Sequence, residues 1–232
     1  MKNIVKYKRK EKYLNQYMGR RFFMNIVTIS REFGSGGREL GKKVAEILGY
    51  DYYDREIIAE IAKRHNVDEK YVDYALNNHA WQTYSLSFHH SFVSPIYVQS
   101  PDSKLLHEQR KIIEEIAEAG KNCVIVGRNA DVLLKDKNPL DIFVCADMEA
   151  KIKRCQERAD ENEQLSYKEI KRMIKRIDKN RARTRFIIAD GEWGHRKSYN
   201  LIVNTTDWDL NELSESVADF VRRWFKNKEV QE

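Results

Sequence analysis

Short runs of consecutive apolar residues alternate along this chain with segments whose apolar positions recur at helical spacing. The runs are "NIVTIS" (25–30), "CVIVG" (123–127), "DIFVC" (141–145) and "YNLIVNT" (199–205). Their brevity and continuity predict strands buried on both faces. "YDYYD" (50–54) predicts a shorter strand. Leu40, Val44, Ile47 and Leu48 share one face of a helix closed by Gly49, and Ile57, Ile58, Ile61 and Ala62 share a face of the next. Asp54 and Asp68 stand where they can cap helices, the second carrying Val72, Ala75 and Leu76. Ser103 can start a long helix with Ile112, Ile113, Ile116 and Ala117, ending at Gly120. Asp147 can cap a helix over 148–158, and Ser166 with Glu169 has the spacing of a capping box opening a long basic helix. Leu210, Leu213, Val217, Phe220, Val221 and Trp224 give a last helix its inner face. Strands alternating with helices predict an α/β fold, a parallel sheet covered on both sides.

Two segments break this pattern. Residues 1–23 form a ragged basic N-terminal extension ahead of a single domain over 24–228. Residues 77–102 are polar, aromatic and almost uncharged, long for a plain connection, and read as a flap or an acceptor-side insert. The segment leaves open whether it lines an acceptor pocket or a homodimer interface.

Composition narrows the class. The chain has 232 residues, 41% of them hydrophobic, with 3 prolines and 10 glycines, which suits a globular domain rather than a low-complexity chain. No apolar run approaches the roughly 18 residues that a membrane helix needs, so no membrane partner is expected. Cys123, Cys145 and Cys155 read as reduced thiols in a cytoplasmic protein. The six histidines show no ligand spacing. The net charge of +6 is modest, but the excess gathers in 2–21 and 171–185.

Candidate chemistry lies at the carboxyl ends of strands, where open α/β sheets bind ligands. After the first strand, Gly34, Gly36 and Gly37 allow a tight turn whose amides can converge on an anion at a helix N-terminus. After "CVIVG" comes Arg128-Asn129, and an arginine there can grip a phosphate with two parallel hydrogen bonds. The segment "KRMIKRIDKNRARTR" (171–185) has eight basic residues and one acid, Asp178, which shares a helix face with Arg181. Such an unbalanced face repels itself unless an anion is present.

In order and spacing, "ISREFGSGGRELGKKVAEILG", "CVIVGRNADVLL", "LDIFVCADMEAKIKRC", "EIKRMIKRIDKNR" and "YNLIVNTTDWDLNEL" resemble the cytidylate kinase-like branch of the P-loop nucleoside monophosphate kinases, over roughly residues 25–225. The resemblance implies a three-layer P-loop kinase fold: a parallel sheet of about five strands flanked by helices, with an arginine-rich helical lid over 160–198. It implies ATP or another nucleoside triphosphate as donor, Mg²⁺, and a small phosphorylated acceptor such as a nucleoside monophosphate. Gly34, Ser35, Gly36, Gly37, Arg38 and Glu39 match the phosphate-binding loop. The family's lysine falls on Gly37 and the following hydroxyl residue near Glu39, so Arg38 is the nearest cation and Glu39 a candidate Mg²⁺ contact. Asp54, Arg128 and Asn129 match the acceptor side, although Asn129 replaces the aspartate that reads cytosine and Glu60 stands for an arginine. Lys175, Arg176 and Arg181, with Asp178 orienting Arg181, match the lid, where another arginine falls on Ile174. Arg38, Arg128, Asp178 and Arg181 are therefore the candidate catalytic residues.

The missing lysine fits a second reading, a nucleotide or phosphate binder that does not transfer. A third, nucleic-acid binding through the two basic clusters and Tyr7, Tyr13 and Tyr17, is weaker. The clusters lie far apart in sequence and no recognised nucleic-acid module accompanies them.

Overall fold

The computed structural model describes residues 24–74, 76, 101–159, 165–189 and 191–231. The extension 1–23 and almost all of the aromatic segment 77–102 lie outside them. Five parallel strands form one sheet in the order β2-β3-β1-β4-β5: β1 (Ile26–Arg31), β2 (Asp51–Tyr53), β3 (Cys123–Val126), β4 (Leu140–Cys145) and β5 (Leu201–Asn204). β1 is central, with Val27 opposite both Val124 and Leu140. Its side chains alternate between faces. Ile26 joins a core built with Ile57, Ile61, Val72 and Ile113, while Val27 and Ile29 join one built with Leu40, Val44, Val217 and Val221. The first core lies under α2 (Arg55–His65), α3 (Glu69–Tyr74) and α4 (Pro101–Glu118). The second lies under α1 (Gly37–Leu48) and α8 (Leu210–Gln231). Both faces of the sheet are thus covered, as the continuous apolar strands predict. Helices α5 (Ala130–Leu133), α6 (Met148–Glu157) and α7 (Tyr167–Ile188) are the remaining α-helices among the described residues. Ile152, Ile170 and Ile174 pack α6 against α7 in a small core of their own. No helix of the described residues is long and apolar enough to cross a membrane.

Local signals held where nothing stronger competed. Ser166 and Glu169 close both bonds of a capping box, and Asp68 accepts from the Lys70 amide at 2.8 Å. Asp54 and Asp147 occupy N-cap positions without side-chain capping bonds. The Asp54 carboxylate binds arginines instead, because a guanidinium meets it with a full opposite charge and an amide N–H with only a partial one. Helix α4 begins at Pro101, ahead of Ser103, with proline in the first turn where its missing N–H costs nothing.

One core feature sets a pH dependence. Asp141 in β4 accepts from the Thr28 hydroxyl at 2.5 Å, and burial pushes its carboxyl up to about 7. A raised carboxyl favours the protonated folded state. Its stabilising contribution is therefore full below the unfolded value near 4 and is lost as pH rises toward about 7. Asp141→Asn is expected to raise the melting temperature at pH 8 and leave it nearly unchanged at pH 4. Thermal denaturation of the two proteins across that range checks it, and equal offsets at both ends would contradict the assignment.

Candidate phosphate-transfer site

The turn after β1 is held from beneath. Ser35 is fully buried, its hydroxyl donating to the Glu32 carbonyl at 2.9 Å. The Thr205 hydroxyl, at the end of β5, donates to the Ser35 carbonyl at 2.6 Å, and Arg154 in turn grips Thr205. Gly34 and Gly36 have φ of 78° and 79°, a left-handed backbone that glycine adopts without penalty. The turn runs directly into α1, whose first amides have no intrahelical acceptor. An anion at this point meets N–H groups and the positive end of the helix.

Helix α7, in the segment expected to form a lid, packs on this turn. Asp178 accepts from the Phe33 amide at 2.7 Å, and Arg181 donates to the Arg31 carbonyl at 2.9 Å while lying 5.8 Å from the Phe33 ring centre. Burial first, offset by the Phe33 amide, Arg181 and Lys151, leaves the Asp178 carboxyl raised to about 6. Lys151 of α6 is only 7% exposed and donates to Glu32 at 2.9 Å, with Asp178 at 3.9 Å. Loop, α6 and lid are therefore joined through one buried set of charges.

On the other side stand Asp54 and Arg128. Asp54 is 2% exposed and holds the Nε of Arg38, with Arg31 at 3.7 Å. The strand β3 ends in three successive left-handed residues, Gly127, Arg128 and Asn129, at φ 74°, 58° and 54°. For an arginine this costs on the order of 1 kcal/mol. The turn brings Arg128 over the sheet edge, where it pairs with Asp73 at 3.1 Å and its carbonyl accepts from Gln109. Its Nε is buried with no partner among the described residues.

These groups surround a cleft of about 1850 Å³. Among the described residues, nine arginines and lysines line it against four carboxylates. The loop glycines Gly34, Gly36 and Gly37 line it, as do Arg38, Arg128 and Asn129, and Arg176 and Arg181 from the lid. Asp54 and Asp178 lie behind it, bonded to arginines that face it. Ser35 is buried beneath the turn. Lys175 is exposed and away from the lining, and Ile174 is core. Glu60 pairs with Arg64.

Glu39 also departs from its expected place. Its carboxylate pairs with Arg158 at 2.6 Å and Lys43 at 3.9 Å, outside the cleft lining, a poor fit to a Mg²⁺ contact. No group of three possible metal ligands occurs among the described residues. Mg²⁺ commonly arrives in such sites with the phosphates and water as its main ligands.

Arg31 is the residue that sequence reasoning missed. Its side chain is 16% exposed at the end of β1. Burial first, then the nearby charge of Arg181, lower its guanidinium to about 9 against the pull of Asp54. The spacing of the phosphate-loop pattern contained a signal for it, since Arg31 stands five residues before Gly36. Lys151 carried none, because a lysine on a helix is normally solvated.

A family profile described as cytidylate kinase-like matches residues 26–207. A crystal structure of an uncharacterized protein from Eubacterium ventriosum is 25% identical, with a TM-score of 0.63 over 86% of this chain and 99% of that one. Shikimate kinase from Bacteroides thetaiotaomicron superposes with a TM-score of 0.53 at 14% identity, over 86% and 99% of the two chains, a likeness of fold. No curated protein matches the sequence.

Proposed function

Because this chain belongs to the cytidylate kinase-like family and has the P-loop kinase fold, we propose that it transfers a phosphoryl group from a nucleoside triphosphate, such as ATP, to a nucleoside monophosphate or another small acceptor. One observation carries the reading. Arg31, Arg38, Arg128 and Arg181 converge on the mouth of the loop, and the charges of the other three all weigh against the guanidinium of Arg31. Buried like charges of this kind are compensated when an anion lies among them.

Phosphoryl transfer requires mainly positioning and charge stabilisation. The loop amides from Gly34 to Arg38 hold the donor's phosphates. Arg128 holds the acceptor from the β3 side. Arg181, oriented by Asp178, closes over the group in transit and excludes water with Phe33. Asp54 fixes the direction of Arg38 between the two sides. Mg²⁺ supplied with the triphosphate would neutralise phosphate charge.

The test is ADP release from ATP and Mg²⁺ over a panel of nucleoside monophosphates and other small acceptors. Release that depends on one acceptor is the expected result. Tight triphosphate binding with no acceptor-dependent release would instead favour the non-transferring binder, the reading that Gly37 in the lysine's place favours.

A further inference from the structure

We infer that Arg31 is the phosphate-gripping cation of this loop, working from the end of β1 in place of the lysine that the loop pattern has at position 37. The pattern G-x-x-x-x-G-K-[ST] places a glycine first and a lysine after the last glycine. With Gly36 as the last glycine, the first falls on Arg31 and the lysine on Gly37. The glycine and the cation have exchanged places.

The geometry says why the exchange is paired. A Cβ on Gly37 would lie 2.6 Å from the Cβ of Arg31 and 3.1 Å from that of Val144. These are the stiff roots of side chains, so residue 37 has no room for a side chain while Arg31 is in place. A Cβ on Gly127 would occupy the space that the Arg31 guanidinium fills. The guanidinium therefore reaches across from β1 to the end of β3, between the loop and Arg128. A cation there touches both the donor's phosphates and the group in transit.

The alternative is that Arg31 exists to pair with Asp54. Its nearest oxygen there is 3.7 Å away, and Arg38 already takes the other carboxylate oxygen in a closer bond. Burial and three neighbouring guanidiniums oppose the charge of Arg31. A group kept where its charge is disfavoured points to a bound anion that repays it.

The experiment uses the full chain and inorganic pyrophosphate, with ATP and adenosine as companions. Arg31→Met keeps most of the side-chain stem and removes the charge, and Arg31→Lys keeps a charge. Arg31→Met is expected to melt no lower than the wild type without ligand, and to bind pyrophosphate and ATP at least about thirtyfold more weakly. Adenosine binding should not change, and Arg31→Lys should fall between. A structural Arg31 would give the reverse, a lower melting temperature with pyrophosphate affinity kept, and that overturns the inference. So does a wild type that pyrophosphate does not stabilise. The inference rests on the phosphotransferase reading only for the identity of the donor. Pyrophosphate binding that depends on Arg31, without turnover on any acceptor, would sustain it while that reading fails.

Discussion

Arg181→Ala is expected to lower kcat by about a thousandfold or more, with a melting temperature within a few degrees of the wild type. On the proposed mechanism, Arg181 is the residue of α7 best placed to follow charge as it develops. It reaches from α7 to the Arg31 carbonyl, flanks Asp178, and lies over Phe33 in the loop itself. A guanidinium held there before any substrate arrives needs little reorganisation during the reaction, which is why its loss acts on kcat more than on KM. The structural cost is small. Asp178 keeps the Phe33 amide and Lys151, so the losses are one hydrogen bond to the Arg31 carbonyl, about 1 kcal/mol, and the longer contacts to Asp178 and the Phe33 ring. Steady-state kinetics with the acceptor found in the panel, beside a melting curve, separates the two effects. A rate within threefold of the wild type would remove Arg181 from the transfer step.

The fold was legible because its strands are continuous apolar runs and its helices carry clean apolar faces. Ile26 to Ile29 and Cys123 to Val126 have no polar partner strong enough to divert them, apart from Thr28 and its bond to Asp141. Where electrostatics competed with a local rule, the local rule failed. Asp54 reads as a cap from its position, but two guanidiniums claim its carboxylate. Both arginines precede it by more than a dozen residues, so no short-range pattern reveals them.

The site was legible in part for the same reason. Arg128, Asp178 and Arg181 lie on a strand end and a helix face that periodicity locates. Along the chain, the cation next to the absent lysine is Arg38. In three dimensions Arg38 is tied to Asp54 and nearly half exposed, whereas Arg31 is the one enclosed between β1 and β3. Nearness in sequence ranks Arg38 first, and enclosure ranks Arg31 first. The decisive fact was the clash between side chains at 31 and 37, which only packing shows. Lys151 and Glu32 show the same limit, since they meet across 119 residues.

A buried ion pair at the far end of the lid carries the second large expectation. Arg185, near the end of α7, pairs with Asp131 in α5, with side chains 7% and 2% exposed, and lies 5.6 Å from the Tyr199 ring centre. Asp131 is three residues beyond Arg128, and Arg185 is one turn beyond Arg181. The pair thus fixes the spacing between Arg128, the proposed acceptor-side arginine, and Arg181, the proposed lid arginine. Asp131→Ala leaves a guanidinium enclosed without its counter-ion, which costs about 3–5 kcal/mol. At roughly 2–4 °C per kcal/mol for a chain of this size, the melting temperature should fall by about 10 °C. Asp131→Leu combined with Arg185→Met removes both charges and fills the space with apolar atoms, so most of that loss should return. Thermal denaturation of the single and double variants decides it. A single variant that melts within a degree or two of the wild type would mean that water already reaches the pair, and that the lid is anchored through Asp178 and Phe33 alone.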